Sequence, residues 1–146
     1  MFELGTDGPL VIVAGVDGSE SSLRASAYAA GLARRQGSRL VLAYIRPMGT
    51  GTPQAGAAIA QMGNEVAADL ERQIHEAAER LPEGHHVFWE FHTAEGDPYR
   101  GLVELADRLR ADAVVIGASE RAGHRILGSV AIRLVKAGRW PVTVVP

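Results

Sequence analysis

Short apolar runs recur along the chain, and after each of the first four the apolar spacing changes to every third or fourth residue. A strand buried on both faces has no polar side to alternate with, whereas a helix lying on a sheet needs only one apolar stripe. Repeated strand-to-helix switching builds right-handed crossovers and a parallel sheet covered by helices on both sides. The expected fold is therefore α/β, a single doubly wound, Rossmann-like sheet of five parallel strands with four helices.

Residues 10–16 (LVIVAGV) form the first expected strand, ended by Asp17-Gly18-Ser19. A helix follows from Ser21, with Leu23, Ala27, Ala30 and Leu32 as its stripe and Gly37 as its stop. Residues 39–45 (RLVLAYI) are the second strand, and residues 46–58 a flexible loop rich in glycine, proline and threonine. Met62, Val66, Leu70, Ile74, Ala77 and Leu81 mark a long amphipathic helix that stops at Pro82-Glu83-Gly84. Residues 87–94 (VFWEFHTA) place Glu90 and His92 on one face, as suits an edge strand. Asp97 then serves as N-cap and Pro98 as first helical residue ahead of Leu102, Leu105, Ala106 and Leu109. A fourth strand over 113–116, a helix over 126–137 closed by Gly138, and a last strand over Val142–Val145 complete the pattern.

A chain of 146 residues, 47% hydrophobic and 22% charged, suits one globular domain, here with a short extension over residues 1–9. A net charge of -2 supplies no field for the phosphates that dominate nucleic-acid affinity, so no nucleic-acid partner is expected. The absence of cysteine excludes disulfides, thiolate metal sites and cysteine nucleophiles. Residues 1–9 carry Glu3 and Asp7 and do not fit a secretory signal, and no apolar run reaches membrane-spanning length, so a cytoplasmic protein without membrane contact is expected.

Ligands of doubly wound sheets bind outside the carboxyl ends of the strands, where the strand order reverses. That rule selects Asp17, Arg46, Gly96-Asp97 and Gly117. Asp17 suits either a turn and cap or an acceptor for a ribose hydroxyl or exocyclic amine. The segment from Gly117 to Ser129 leads from strand to helix with three glycines, so backbone N–H groups and a helix N-terminus face an anion. Arg121, His124 and Arg125 add positive charge, as a solvated basic loop also would. The glycine spacing matches neither the P-loop nor the Gly-x-Gly-x-x-Gly fingerprint.

Other groupings point to less. His86 and His92 are about 20 Å apart on an extended strand and cannot share one ion with His85. His75-Glu76-x-x-Glu79 lacks the second histidine of a zinc helix and reads as surface. Ser129 with His124 has neither a serine elbow nor an orienting carboxylate. Phe88, Trp89 and Phe91 read as core and sheet-covering residues, since no cations interleave them.

Val16-Asp17-Gly18-Ser19, the step Gly96-Asp97-Pro98, the strand into Gly117, Gly128-Ser129 and the closing residues 141–145 (PVTVV) occur in the order found in universal stress proteins, and the chain resembles that family from about residue 10 to 146. The resemblance implies strand order 3-2-1-4-5, with Asp17 and Gly117 side by side. It also implies a site for ATP or another adenine nucleotide, with magnesium, on a loop of Gly, two residues, Gly, nine residues, then Gly and Ser or Thr. Carried over by position, Asp17 meets ribose or adenine, Ile45 and Arg46 flank the base, and Gly117, Gly128, Ser129 and Val130 line the phosphates. Arg121, Gly123 and Arg125 are further phosphate contacts. Two departures stand out. Glu120 replaces the second glycine, bringing negative charge toward the triphosphate path, and only seven residues separate it from Gly128.

The leading expectation is a regulatory stress-response protein with an adenine-nucleotide site and an atypical phosphate loop, without metal centre or catalysis beyond slow ATP hydrolysis. The alternative is a nucleotide-free dimeric interaction module. Either way the resemblance implies a homodimer paired along Val142–Val145, acting on a regulatory protein partner. A third class, the related adenylating enzymes, carries Ser-Gly-Gly after the first strand, where this chain has Asp17-Gly18-Ser19-Glu20.

Overall fold

A computed structural model describes residues 1–121 and 124–146, with side chains outside 120–126. The elements are β1 Val11–Gly15, α1 Glu20–Gln36, β2 Arg39–Arg46, α2 Pro53–Glu79, β3 Phe88–Glu95, α3 Pro98–Arg108, β4 Ala113–Gly117, β5 Ser119–Arg121, β6 His124–Ile126, α4 Ser129–Ala137 and β7 Val142–Val145. Five strands form one parallel sheet in the order β3-β2-β1-β4-β7, the expected 3-2-1-4-5 when β7 is counted as the fifth strand of that sheet. The strand over residues 87–94 is an edge, as expected.

The unbroken apolar runs are explained by two cores. Because strand side chains alternate faces, Ile12 and Ala14 join Leu40, Leu42 and Tyr44 under α1 and α2, while Val13 joins Val41, Ala43 and Ile45 under α3 and α4. Leu70 of α2, Leu105 of α3 and Leu134 of α4 are fully buried against these faces. On the α1 side the packing residues are Ala25, Ala29 and Ala33, so this helix lies close to the sheet.

Asp97, Gly37 and Gly138 mark helix ends as expected, and Ser19 caps the start of α1. The Ser19 hydroxyl accepts the Ser22 N–H at the start of α1, and the Asp97 carboxylate accepts the Arg100 N–H at 3.0 Å ahead of Pro98. Gly37 and Gly138 close α1 and α4.

Four expectations need correction. The loop of residues 46–58 is shorter, because Thr52 accepts the Ala55 N–H at 3.1 Å and Pro53 begins α2. The long helix ends at Glu79, three residues before Pro82. The last helix starts at Ser129 instead of residue 126, and Ile126 belongs to β6, which pairs with β5 in a separate antiparallel ribbon. Phe88 does not cover the sheet, being 73% exposed, while Trp89 and Phe91 pack on the α1–α2 core.

Candidate functional site

Sheet order reverses beside β1, which has β2 on one side and β4 on the other. The helices that follow these strands leave in opposite directions, so a cleft opens beyond their carboxyl ends. It has a volume of about 610 Å³ and is lined at its base by Gly15, Val16, Ala43, Ile45 and Ile116. The turn after β1 forms one rim, and the start of α4 forms the other.

The first rim is a network of short side chains. The Ser19 N–H donates to Asp17 Oδ1 at 2.9 Å, and the Asp17 N–H donates to the Ser22 hydroxyl at 3.2 Å. That hydroxyl donates in turn to the Ser19 carbonyl at 2.9 Å. Gly18 sits at φ +90°, a left-handed conformation that side-chain-bearing residues rarely adopt. Desolvation pushes the Asp17 carboxyl upward, but hydrogen bonds from Ser19 and Ser22 outweigh it and hold the group below its ordinary value. Asp17 is thus an exposed, fixed carboxylate facing the cleft. Its charge reaches the buried Tyr44, whose phenol is raised first by desolvation and then by Asp17.

The second rim has the opposite character. α4 begins at Gly128 with no side chain capping it, so its first-turn N–H groups, which have no partner within the helix, are presented beside the cleft at Ser129 and Val130. An anion is the natural partner for such groups. The Arg133 guanidinium, 3.3 Å from Asp97 and stacked 4.0 Å over the Tyr99 ring, ties α4 to the start of α3, where Pro98 and Leu102 close the cleft.

Gly117 lies where β4 meets the start of α1. A Cβ there would stand 2.5 Å from the Ser21 carbonyl carbon and 2.7 Å from the Ser22 nitrogen, so the missing side chain is what lets helix and strand approach. At Gly128 a Cβ would meet the Ser119 Cβ at 2.9 Å.

The family model for the universal stress protein family matches residues 10–146. The chain belongs to the universal stress protein family. A universal stress protein of Methanocaldococcus jannaschii is 29% identical over 92% of this chain and 80% of its own. The solved structure of UspA from Lactobacillus plantarum, 20% identical, superposes with a TM-score of 0.81 over 93% of this chain and 97% of that one. A universal stress protein solved in complex with cAMP is 28% identical, with a TM-score of 0.59 over 94% of this chain and 97% of that one.

Of the site residues expected from sequence, the universal stress protein fold brings Asp17, Ile45, Gly117, Gly128, Ser129 and Val130 to one cleft. Arg46 is not among the residues lining it. Its guanidinium turns to Asn64 at 2.6 Å and Glu95 at 3.9 Å, because its stem packs where Gly63 leaves room on α2. Gly123 and the side chains of Arg121 and Arg125 lie outside the described residues. The backbone places Glu120 in β5, directly opposite Arg125 of β6. Ser21, Ser22, Tyr44 and Ser119 also line the cleft and were not singled out in the sequence. For Tyr44 the signal was there: it interrupts an otherwise apolar run, residues 40–45, near its carboxyl end. Among the described residues no three metal-ligating side chains cluster, and no helix is long and apolar enough to cross a membrane.

Proposed function

We propose that the cleft binds an adenine nucleotide, with Asp17 accepting from the ribose or the exocyclic amine and the start of α4 receiving phosphate. The carrying observation is that a fixed carboxylate and an uncapped helix N-terminus line one cleft. The residues fit the group: the volume lies within the roughly 300–1,000 Å³ typical of small-ligand sites, the base is apolar, and small residues, Gly117, Ser119, Gly128 and Ser129, line the phosphate end. The relative solved with cAMP supports the same ligand class. Ile45 and Tyr44 form the wall for the base, and Gly117, Gly128, Ser129 and Val130 form the phosphate cradle.

Bound nucleotide, with magnesium for the longer phosphates, acts here as a signal; among the described residues lining the cleft no nucleophile stands beside an oriented base. With Glu120 and the shortened loop at the triphosphate end, monophosphates are favoured over ATP. Calorimetric titration with AMP, cAMP, ADP and ATP, with and without magnesium, tests the reading. Saturable heat with AMP or cAMP is expected, and no heat at millimolar nucleotide overturns it.

A second reading rests on β7, a sheet edge paired only with β4 and with all four residues part-exposed. We infer that two copies pair along this edge, giving a homodimer that presents its clefts to a regulatory protein in the cytoplasm. Sedimentation showing a strict monomer at micromolar concentration would remove this reading.

A further inference from the structure

A second concavity lies on the other side of α1, between it and α2, and has no part in the nucleotide site. Its volume is about 690 Å³. The floor is Leu40 and Leu42 of β2 with Val87 and Trp89 at and before β3; Ala27 and Ala30 wall one side and Ile74 the other. The two helices make few direct contacts, so the part-exposed Val87 and Trp89 are not closed over, while Leu40 and Leu42 stay buried beneath the groove. At Gly31, which also lines this groove, a Cβ would meet nothing within 4 Å.

The charges of the groove are unequal. Arg34, Arg80 and Glu76 line it, but Glu76 is paired with Arg72 at 2.8 Å. Arg34 and Arg80 have no side-chain partner among the described residues. Both stand at the carboxyl ends of their helices, and the strands that follow start there, so they mark the edge of the sheet opposite the nucleotide cleft. An apolar trough of ligand-pocket size with two unpaired guanidiniums at one end is complementary to a small molecule with an aliphatic body and an anionic head.

We propose that the groove between α1 and α2 binds a small amphipathic carboxylate, its chain over Ala30, Ile74, Val87 and Trp89 and its carboxylate paired with Arg34 and Arg80. Each buried methylene tightens binding by about three- to fourfold until the trough is filled. The carboxylate adds selectivity over an alcohol or an ammonium of the same length, because two guanidiniums favour an anion and repel a cation.

Decanoate, decanol and decyltrimethylammonium, all kept below their aggregation limits, are the probes. Trp89 emission in a Trp140→Phe chain is the readout, Trp140 lying on the opposite face of the sheet; calorimetry on the unsubstituted chain gives the same constant. Decanoate is expected to bind saturably and at least fivefold more tightly than decanol, with the ammonium weakest. Gly31→Leu, which puts a side chain into the trough without changing charge and whose Cβ meets nothing within 4 Å, is expected to abolish binding. Arg34→Gln with Arg80→Gln is expected to weaken decanoate at least fivefold and leave decanol unchanged. Saturating AMP is expected not to compete. Absence of saturable decanoate binding, equal affinity of Gly31→Leu, indifference to the double arginine change, or displacement by AMP each overturns the proposal, and none of them bears on whether the cleft takes nucleotide.

Discussion

Gly117→Ala adds one methyl group at the join between β4 and α1, and its effect follows from what that methyl meets. The nearest atoms, at 2.5 and 2.7 Å, are backbone of Ser21 and Ser22, and no rotamer change can move them away. Reaching the 3.4 Å of ordinary contact displaces the first turn of α1 by about 0.9 Å. Ser21 and Ser22 are 2% and 5% exposed and hold the Asp17 turn, so the displacement strains a packed, hydrogen-bonded region. Overpacking of this kind costs about 1–3 kcal/mol, or about 3–9 °C in Tm for a chain of this length. Gly31→Ala is the control. It is the same chemical change in mid-helix with open space around it, and it is expected to stabilise by about 0.5–1 kcal/mol through helix propensity. Urea denaturation of both variants at pH 7, with thermal melts alongside, makes the comparison. A Gly117→Ala midpoint within error of the parent would refute the reasoning, since it would show that α1 does not bear on β4.

Other perturbations test the remaining links. Leu134→Ala empties a fully buried position of α4 and should cost about 2–5 kcal/mol in the same urea assay. Asp17→Asn removes the charge while its amide oxygen still accepts the Ser19 N–H, so AMP affinity measured by calorimetry should fall about tenfold with stability nearly unchanged. Glu90 is held down to about 2, chiefly by its hydrogen bond with the Arg39 guanidinium, against an ordinary 4.5. A depressed folded-state pKa contributes stability above pH 4.5 that is lost as pH falls from 4.5 toward 2. Because both side chains are about two-fifths exposed, Glu90→Gln should cost no more than about 1 kcal/mol at pH 7 and should flatten the acid limb of the stability profile in that window.

The sheet was legible because its central strands are buried on both faces, a demand that leaves little choice but Val, Ile, Leu and Ala at residues 11–14 and 40–43. Helix limits were legible where a single residue sets them, as Asp97, Gly37 and Gly138 do. The start of α2 was not, since Gly56 and Gly63 lower helix propensity and conceal the capping by Thr52. The β5–β6 ribbon was hidden for a different reason. Its strands, Ser-Glu-Arg and His-Arg-Ile, have almost none of the β-branched character that marks a strand, and the pairing places Glu120 across from Arg125.

That pairing changes how the loop is to be interpreted. In sequence, Glu120 reads only as a residue of a phosphate loop; in the fold its backbone belongs to a strand paired in register with Arg125. Gly117 changes too. Its spacing marks it as part of a phosphate loop, yet its lack of a side chain is already required by the backbone of α1. A glycine can satisfy both demands at once, and spacing alone cannot separate them. Loss of nucleotide affinity in a Gly117 variant therefore reports helix displacement as much as lost phosphate contact, whereas Asp17→Asn leaves the turn's hydrogen bond in place and isolates the ligand's contribution. The site is best dissected from its carboxylate rim, where fold and function rest on different atoms of the same residue.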